Sequence, residues 1–531
     1  MITFDILTLK AFIKEQADFL SGARLNKIQQ PTRREFIFTL RNNGESKQLY
    51  VNIDPRLYHV CFISDSDYKK RALVIPKKPP MFCMLLRKYI ENAKIIKVYQ
   101  PEHERILEFH IETSDSIGQK VILVLAVEFM GKHSNIVLYN KESRSIIGCA
   151  HNVGSDKSRE RELYGGIPYV YPPKQNKSDI LDFKGNDINY DKLESEFYMF
   201  SKAFAKLCRG LPLEKLKSFV RLENLSPSIS KDYSIYSLFG ELLSNDAVGF
   251  ETVNEMINNY YTYYISDAKL GALRTKYRNI VSKKLTKLTN SVSEMNNRLK
   301  SYSEGDKYRL YGDLLMANLY NLSDYSDRAE VFDYESNKNI VIPVDKSKTV
   351  KENASRFYKR YNKSKSAKLK LSELTEKSLR QKEYCEHLLY YIDSAQTMED
   401  LYEISSEVVP DSDIKPEKPV SEVSFNELKD GTRIYIGKNN KQNDYIISKI
   451  ASEDDLWFHV KDNPGSHVLL KTQNLTDDLI LTCAKLAKEN SRVKDSSKIG
   501  VIYTRRKYLR KPPGADLGYV TYKNEKEIIL D

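Results

Sequence analysis

The hydrophobic and polar positions change period several times along the chain, and each change marks an element. Phe4, Leu7, Ala11 with Phe12, and Phe19 with Leu20 recur at helical spacing, and Ser21-Gly22 closes that helix. Period-two runs follow. Residues 35–41 and 48–53 flank Asn42-Asn43-Gly44, which predicts a hairpin. Pro79-Pro80 opens a helix over 81–90, and strands are expected at 94–100, 105–111 and 121–129. Together these predict one α+β domain over 1–175, built on a twisted sheet or a sandwich and ending in the Pro-rich stretch near 169–175.

Residues 176–251 read as short helices broken by Gly210-Leu211-Pro212 and by Leu225-Ser226-Pro227, either a helix-hairpin-helix-like unit or a spacer. Beyond them Tyr277, Val281, Leu285, Leu288, Val292, Met295, Leu299 and Tyr302 step by four and three, the seam of a coiled coil. A second partial seam (Ala367, Leu371, Leu374, Leu388, Ile392, Ala395) predicts an antiparallel partner, so 252–407 forms a long arm. A β insert near 329–350 is expected at its tip. Residues 408–420 form a Pro-rich charged linker, and 421–531 a separate α+β unit with a helix over 477–489. In that unit Trp457, Phe458 and Val460, a turn at Asn463-Pro464-Gly465-Ser466, and Val468–Leu470 predict a hairpin with His459 and His467 on its two arms.

Composition narrows the function classes. A hydrophobic fraction of 41% suits folded domains, and no apolar run approaches the eighteen or so residues that span a membrane. The first residues lack the pattern of a signal peptide, so a cytoplasmic protein is expected. Six scattered cysteines, without CxxC or Cys/His spacing, predict reduced thiols and no metal site. The net charge of +12 points to an anionic partner, although 72 acidic residues make local clustering the better guide.

No phosphate loop, dinucleotide fingerprint, zinc-protease helix or nucleophile elbow stands in its structural context, so no catalytic residue and no cofactor are assigned. The binding signals are stronger. Arg492, Lys494, Lys498, Arg505, Arg506, Lys507, Arg510 and Lys511 cluster with Tyr503, Tyr508 and Tyr519, opposed locally by Asp495 alone. Cations for phosphates and rings for bases are the composition of an RNA-contacting surface; the competing reading is a solvated basic edge. Lys438, Lys461, Asp462 and His467 are added as candidates around the hairpin. Near the other end, Asp5, Arg24, Asn26, Lys27 and the pair Glu104-Arg105 stand beside apolar runs, where a carboxylate can hold a guanidinium for phosphate. Residues 130–135 follow a buried strand; their loop either presents Lys132, His133 and Asn135 to a ligand or simply turns.

Several of these segments, in this order, resemble the NFACT family. The stretches 437–444 (GKNNKQND) and 454–467 (DDLWFHVKDNPGSH) look like the NFACT-R signature; 79–88 (PPMFCMLLRK, with Arg87), Glu104-Arg105 and 130–135 (MGKHSN) look like NFACT-N; 311–318 (YGDLLMAN) and 353–362 (NASRFYKRYN) match the middle region. The resemblance implies a glycosylase-like N-terminal fold. It implies a ribosome-associated quality-control factor that binds large subunits obstructed by peptidyl-tRNA and recruits alanine tRNA for template-free alanine tailing. The ribosome would make the peptide bond. The implied partners are the large ribosomal subunit, tRNA, the obstructed nascent-chain complex and the helper protein RqcP, with no membrane. The family's functional Asp and Asp-Arg pair fall on Asp5 and Glu104-Arg105, so Glu104 adds a methylene to the pattern. Glycosylase chemistry would need an N-terminal proline where this chain has Ile2. An older family label suggests a second reading, a fibronectin-binding surface adhesin.

Overall fold

Helix α1 (Ile6–Leu20) starts at Asp5, whose carboxylate accepts the backbone N–H and the hydroxyl of Thr8 at 2.8 and 2.7 Å. This is an N-cap, and it satisfies donors that the first turn leaves free. The computed structural model describes residues 4–531 except 115–116, 157, 159, 186–187, 303–304, 334 and 410–422. It divides into two units, Met1–Lys269 and Leu270–Asp531.

In the first unit β1 (Arg24–Gln29), β2 (Glu35–Asn42), β3 (Glu45–Asn52) and β4 (His59–Ile63) follow α1, then α2 (Asp65–Lys70) and α3 (Met81–Ile90). Next come β5 (Lys94–Tyr99), β6 (Ile106–Ser114), β7 (Lys120–Glu128), β8 (Asn135–Asn140) and β9 (Ile146–Cys149). They form one antiparallel sheet in the order β4-β3-β2-β1-β5-β6-β7-β8-β9. Between β2 and β3, Asn43 and Gly44 both take positive φ (49° and 82°), the geometry of a two-residue primed turn.

The order hides a repeat. Ala23–Pro31 (ARLNKIQQP) and Ala93–Pro101 (AKIIKVYQP) align without gaps, each follows a helix, and each opens an antiparallel meander. Both strands are bulged at the equivalent place, between Leu25 and Lys27 and between Ile95 and Lys97. Arg24 pairs with Lys94 where the two halves join, so the sheet is two copies of one unit zipped through their first strands.

Strand alternation then decides what each face holds. Leu107, Phe109, Ile111, Leu123, Leu125 and Val127 join α1 and α3 in the main core. Ile106, Val124 and Ala126 point the other way, against Tyr139, Leu163 and Tyr169. The segment after the sheet has the expected short helices α4 (Leu193–Glu196), α5 (Lys202–Leu207) and α6 (Leu213–Val220). The structure adds a three-stranded sheet of β10 (Ser228–Ile229), β11 (Tyr236–Ser237) and β12 (Val248–Gly249). Two- and three-residue strands are too short to leave a period in the sequence.

Helix α7 (Val253–Tyr302) begins in the first unit, where Met256, Ile257, Tyr260 and Tyr261 enter the main core. In the second unit α7 is followed by α8 (Asp306–Ala317), β13 (Arg328–Asp333), β14 (Lys338–Pro343), α9 (Val350–Ser394) and α10 (Met398–Val408). Tyr277 and Val281 of α7 pack with Cys385, Leu388 and Ile392 of α9, and Arg278 meets Asp393 at 2.5 Å, so the pair is antiparallel. Hairpin β13–β14 lies against α8, where Ala329, Val331 and Ile342 share a core with Leu314 and Leu315. One seam position differs from expectation. Leu374 is 54% exposed and Thr375 is buried, because the stripe passes from Leu371 to Thr375, a step of four.

The expected linker at 408–420 lies outside the described residues, except that Val408 ends α10 and Val409 follows it. The last domain has β15 (Phe425–Glu427), β16 (Arg433–Ile436), α11 (Asn440–Tyr445), β17 (Leu456–Val460), β18 (Val468–Lys471), α12 (Asp477–Glu489), β19 (Ile499–Arg505), β20 (Leu509–Arg510), β21 (Thr521–Tyr522) and β22 (Lys526–Leu530). Its main sheet runs β15-β16-β18-β17-β19-β22. Leu456, Phe458 and Val460 face α12, whereas Trp457 faces Ile446, Ile447 and Leu469. The expected hairpin is present, with Trp457 opposite Leu469.

Candidate RNA-binding surfaces

In the first unit the loop from β5 to β6 carries Glu104-Arg105. Gln100 Nε2 donates to the carbonyl of Glu104 at 2.9 Å and lies 3.4 Å from that of Ile6, so one amide holds this loop to the start of α1. Arg105 Nη1 donates to the Tyr58 hydroxyl at 3.0 Å, and the guanidinium stands over that ring. Tyr58 is also a neighbour of Gly131, whose φ of +61° lies in the left-handed region that favours glycine. Tyr58 thus joins the two sequence motifs. Lys132 and His133 are exposed on the 3-10 turn beside it, and Arg105 is half-buried.

Glu104 is not bonded to Arg105 through its side chain. Burial pushes its carboxyl above the ordinary range, the Arg105 charge pulls it back, and Glu128 pushes it up again. Glu104 therefore belongs to a carboxylate group that the sequence did not single out. Glu128 is buried and accepts from Tyr169 Oη at 2.7 Å and from Arg161. Glu108 accepts from Tyr139 at 2.9 Å and Tyr171 at 2.8 Å, while Arg144 lies over all three tyrosine rings. The available signal was a lone Glu inside each apolar strand run.

The remaining N-terminal candidates separate by role. Asp5 is spent on Thr8 and on the Ser201 hydroxyl, 2.8 Å away. Asn135 is buried, donates to His151 O at 2.8 Å and accepts the His151 N–H at 3.0 Å, which makes it a strap rather than a surface group. Arg87 Nε donates to Ile28 O at 2.9 Å and ties α3 to β1. Arg24 and Lys27 are exposed on β1, with Asn26 half-buried at its bulge.

In the C-terminal domain the basic tract is less free than its local sequence suggests. Arg505 and Lys507 both reach Asp454 at 2.8 Å, Lys461 meets Glu527 at 2.7 Å, and Lys511 pairs with Asp444. The expectation that Asp495 alone opposes the tract is corrected. Pairing of β17 with β19 and of β19 with β22 brings in carboxylates more than fifty residues away. The two cations hold Asp454 below the usual carboxylate range. Arg506 Nε instead donates to Ile447 O at 2.8 Å. Arg510, Lys438, Arg492, Lys494 and Lys498 are exposed. Exposed pairs of this kind contribute about 0–1 kcal/mol, so an incoming phosphate can replace the carboxylate.

His467, on the hairpin arm as expected, is not available for RNA contact: it is buried at 3% exposure, its backbone N–H donating to Asn443 Oδ1 at 3.1 Å. The same Asn443 donates to Tyr391 Oη at 2.7 Å, and Tyr391 donates to Gly465 O at 2.7 Å. The turn is therefore fastened from behind. Asp462 remains exposed, with φ +52°.

Family comparison agrees with this arrangement. The model of the NFACT N-terminal and middle domains matches residues 5–221 and 212–422, and that of the NFACT protein RNA-binding domain matches 423–524. The chain belongs to the NFACT family and carries its RNA-binding domain. Its relatives include the Rqc2 homolog RqcH of Bacillus subtilis, 30% identical over all of this chain and 98% of that protein. The Rqc2 homolog RqcH of Streptococcus pneumoniae is 28% identical over 99% of this chain and 97% of its own length. Among solved structures, the N-terminal part of the fibronectin/fibrinogen-binding protein of Streptococcus suis is 28% identical, covering 49% of this chain and 99% of that one at a TM-score of 0.43. Among the described residues no helix is long and apolar enough to cross a membrane, and no group of three or more His, Cys, Asp or Glu is arranged to hold a metal.

Proposed function

We propose that this protein is a cytoplasmic, ribosome-associated quality-control factor. It binds large ribosomal subunits obstructed by peptidyl-tRNA and recruits alanine tRNA for template-independent C-terminal tailing, with peptide bonds made by the ribosome. Full-length similarity to Rqc2 homologs supports the reading. The observation that carries it is the cluster of Arg105, Tyr58, Lys132 and His133: a fixed guanidinium, a ring and two exposed nitrogenous side chains suit an RNA backbone and its bases. Glu104 lies beside this cluster and limits where a phosphate can settle. The C-terminal cations add a second RNA contact, and RqcP is the helper whose contribution is open to the same assay.

Affinity purification from cells with stalled translation, followed by sequencing of bound RNA, tests the proposal. Enrichment of large-subunit rRNA and one alanine tRNA is expected. A bound fraction without rRNA would overturn it.

A further inference from the structure

The C-terminal domain and the end of α9 enclose a cavity of about 260 Å3. Its walls are rings. Tyr384 and His387 come from α9, Trp457 and His459 from β17, and Tyr519 and Tyr522 from the segment leading into β22. Trp457 and His459 are two apart on one strand and share a face, their rings nearly parallel at 5.7 Å. His387 continues the parallel set, 6.1 Å from His459. Burial keeps these imidazoles neutral, with His387 lowered to about 3 and His459 to about 4. The wall is therefore aromatic and uncharged.

Its mouth is acidic although the whole chain carries +12. Glu383, Glu386, Asp462 and Asp516 line it against the single guanidinium of Arg380. Lys382, outside the lining, reaches Glu386 only at 3.8 Å. Like charge from Glu386 and Asp462 adds to burial in pushing the Glu383 carboxyl up. Two nitrogens of wall residues, Trp457 Nε1 and His467 Nδ1, are buried without a hydrogen-bond partner. Of the two, His467 Nδ1 can accept from a guanidinium when its proton sits on Nε2, whereas the indole N–H is a donor that a guanidinium leaves unpaired.

We propose that this aromatic cavity with its carboxylate mouth binds an arginine side chain presented by a protein partner. A planar guanidinium stacks on aromatic faces and bonds carboxylates with its fork of donors, whereas an ammonium does the first less well. A nucleobase would stack equally, but its phosphates would meet the carboxylates at the mouth. The charge decides for the protein side chain. The site uses none of the cations assigned to RNA and shares Asp462 and His467 with the RNA candidates.

Trp457 is the only tryptophan of the chain, so its selectively excited emission reports on this cavity. The full-length protein is titrated with acetyl-Gly-Arg-Gly-amide, its lysine counterpart, nucleoside monophosphates and a short single-stranded RNA. The arginine peptide should change the emission saturably and bind several-fold more tightly than the lysine peptide. The variant Glu383→Gln/Asp462→Asn, altered only at exposed positions, should weaken it about tenfold with an unchanged Tm. Saturation by nucleotide or RNA while the arginine peptide is silent, an arginine response indifferent to the two carboxylates, or no response to any probe would each overturn the proposal.

Discussion

Arg105 donates to the Tyr58 hydroxyl at 3.0 Å, and Tyr58 in turn lies against Gly131, so one phenol positions the guanidinium and the turn that carries Lys132 and His133. Arg105→Ala should abolish alanine tailing and weaken tRNA binding about tenfold or more, a loss typical of a charged hydrogen-bonded contact. Tyr58→Phe removes the hydroxyl while keeping the ring, and should reduce binding only about three- to tenfold with the same salt dependence. Filter binding at several salt concentrations separates the two; tailing at full rate in Arg105→Ala would remove the role given to this residue.

The shared carboxylate of Asp454 makes an opposite-signed prediction. Asp454→Asn frees Arg505 and Lys507 and should tighten RNA binding about two- to fivefold at low salt. Arg505→Ala/Lys507→Ala should weaken binding and shallow the log K against log salt slope by about two. An unchanged slope would mean that neither cation meets phosphate.

Glu128→Gln leaves the Arg161 guanidinium facing a neutral group in a nearly dry site beneath Tyr169. Removal of one partner of a buried pair costs about 3–5 kcal/mol, and the amide should lie near the lower end because it still accepts a hydrogen bond. Thermal unfolding should show a clear fall in Tm, while Glu142→Gln at an exposed turn position should stay close to wild type.

The neutral histidines of the C-terminal domain predict acid sensitivity. His459 is lowered from its usual 6.5 to about 4 and His387 to about 3, burial being the first cause of each. The unfolded chain therefore binds protons that the folded chain refuses between about pH 6.5 and pH 3–4. Stability is full above pH 6.5 and falls as the pH drops through that window, by about 3 kcal/mol for His459 alone. His467 lies against His459, and Glu383, Glu386 and Asp462 face the same cavity, so protonation there moves with these groups. Denaturant midpoints at pH 7.5 and 5 read the effect, and His459→Gln should flatten it.

Much of the fold is legible in the sequence. Asn43-Gly44 specifies its turn because few other residues accept two positive φ values in succession, and the seam at Tyr277–Val292 specifies a helix pair because its period exceeds chance. Family signatures at 79–88, 130–135 and 454–467 were equally local. Charge pairing was not. Asp454 meets Arg505 and Lys507 only because β17 and β19 are neighbours, and Glu108 and Glu128 face one tyrosine cluster only because β6 and β7 are in register. His467 is a binding candidate by sequence and is interior in the structure, since Asn443 and Tyr391 close over it. Local periodicity and turn chemistry are set by neighbours along the chain, so the sequence by itself determined the elements and the family. Which cation meets which carboxylate, and which ring walls which cavity, depends on which strands pair and in what register, and only the tertiary structure decided it.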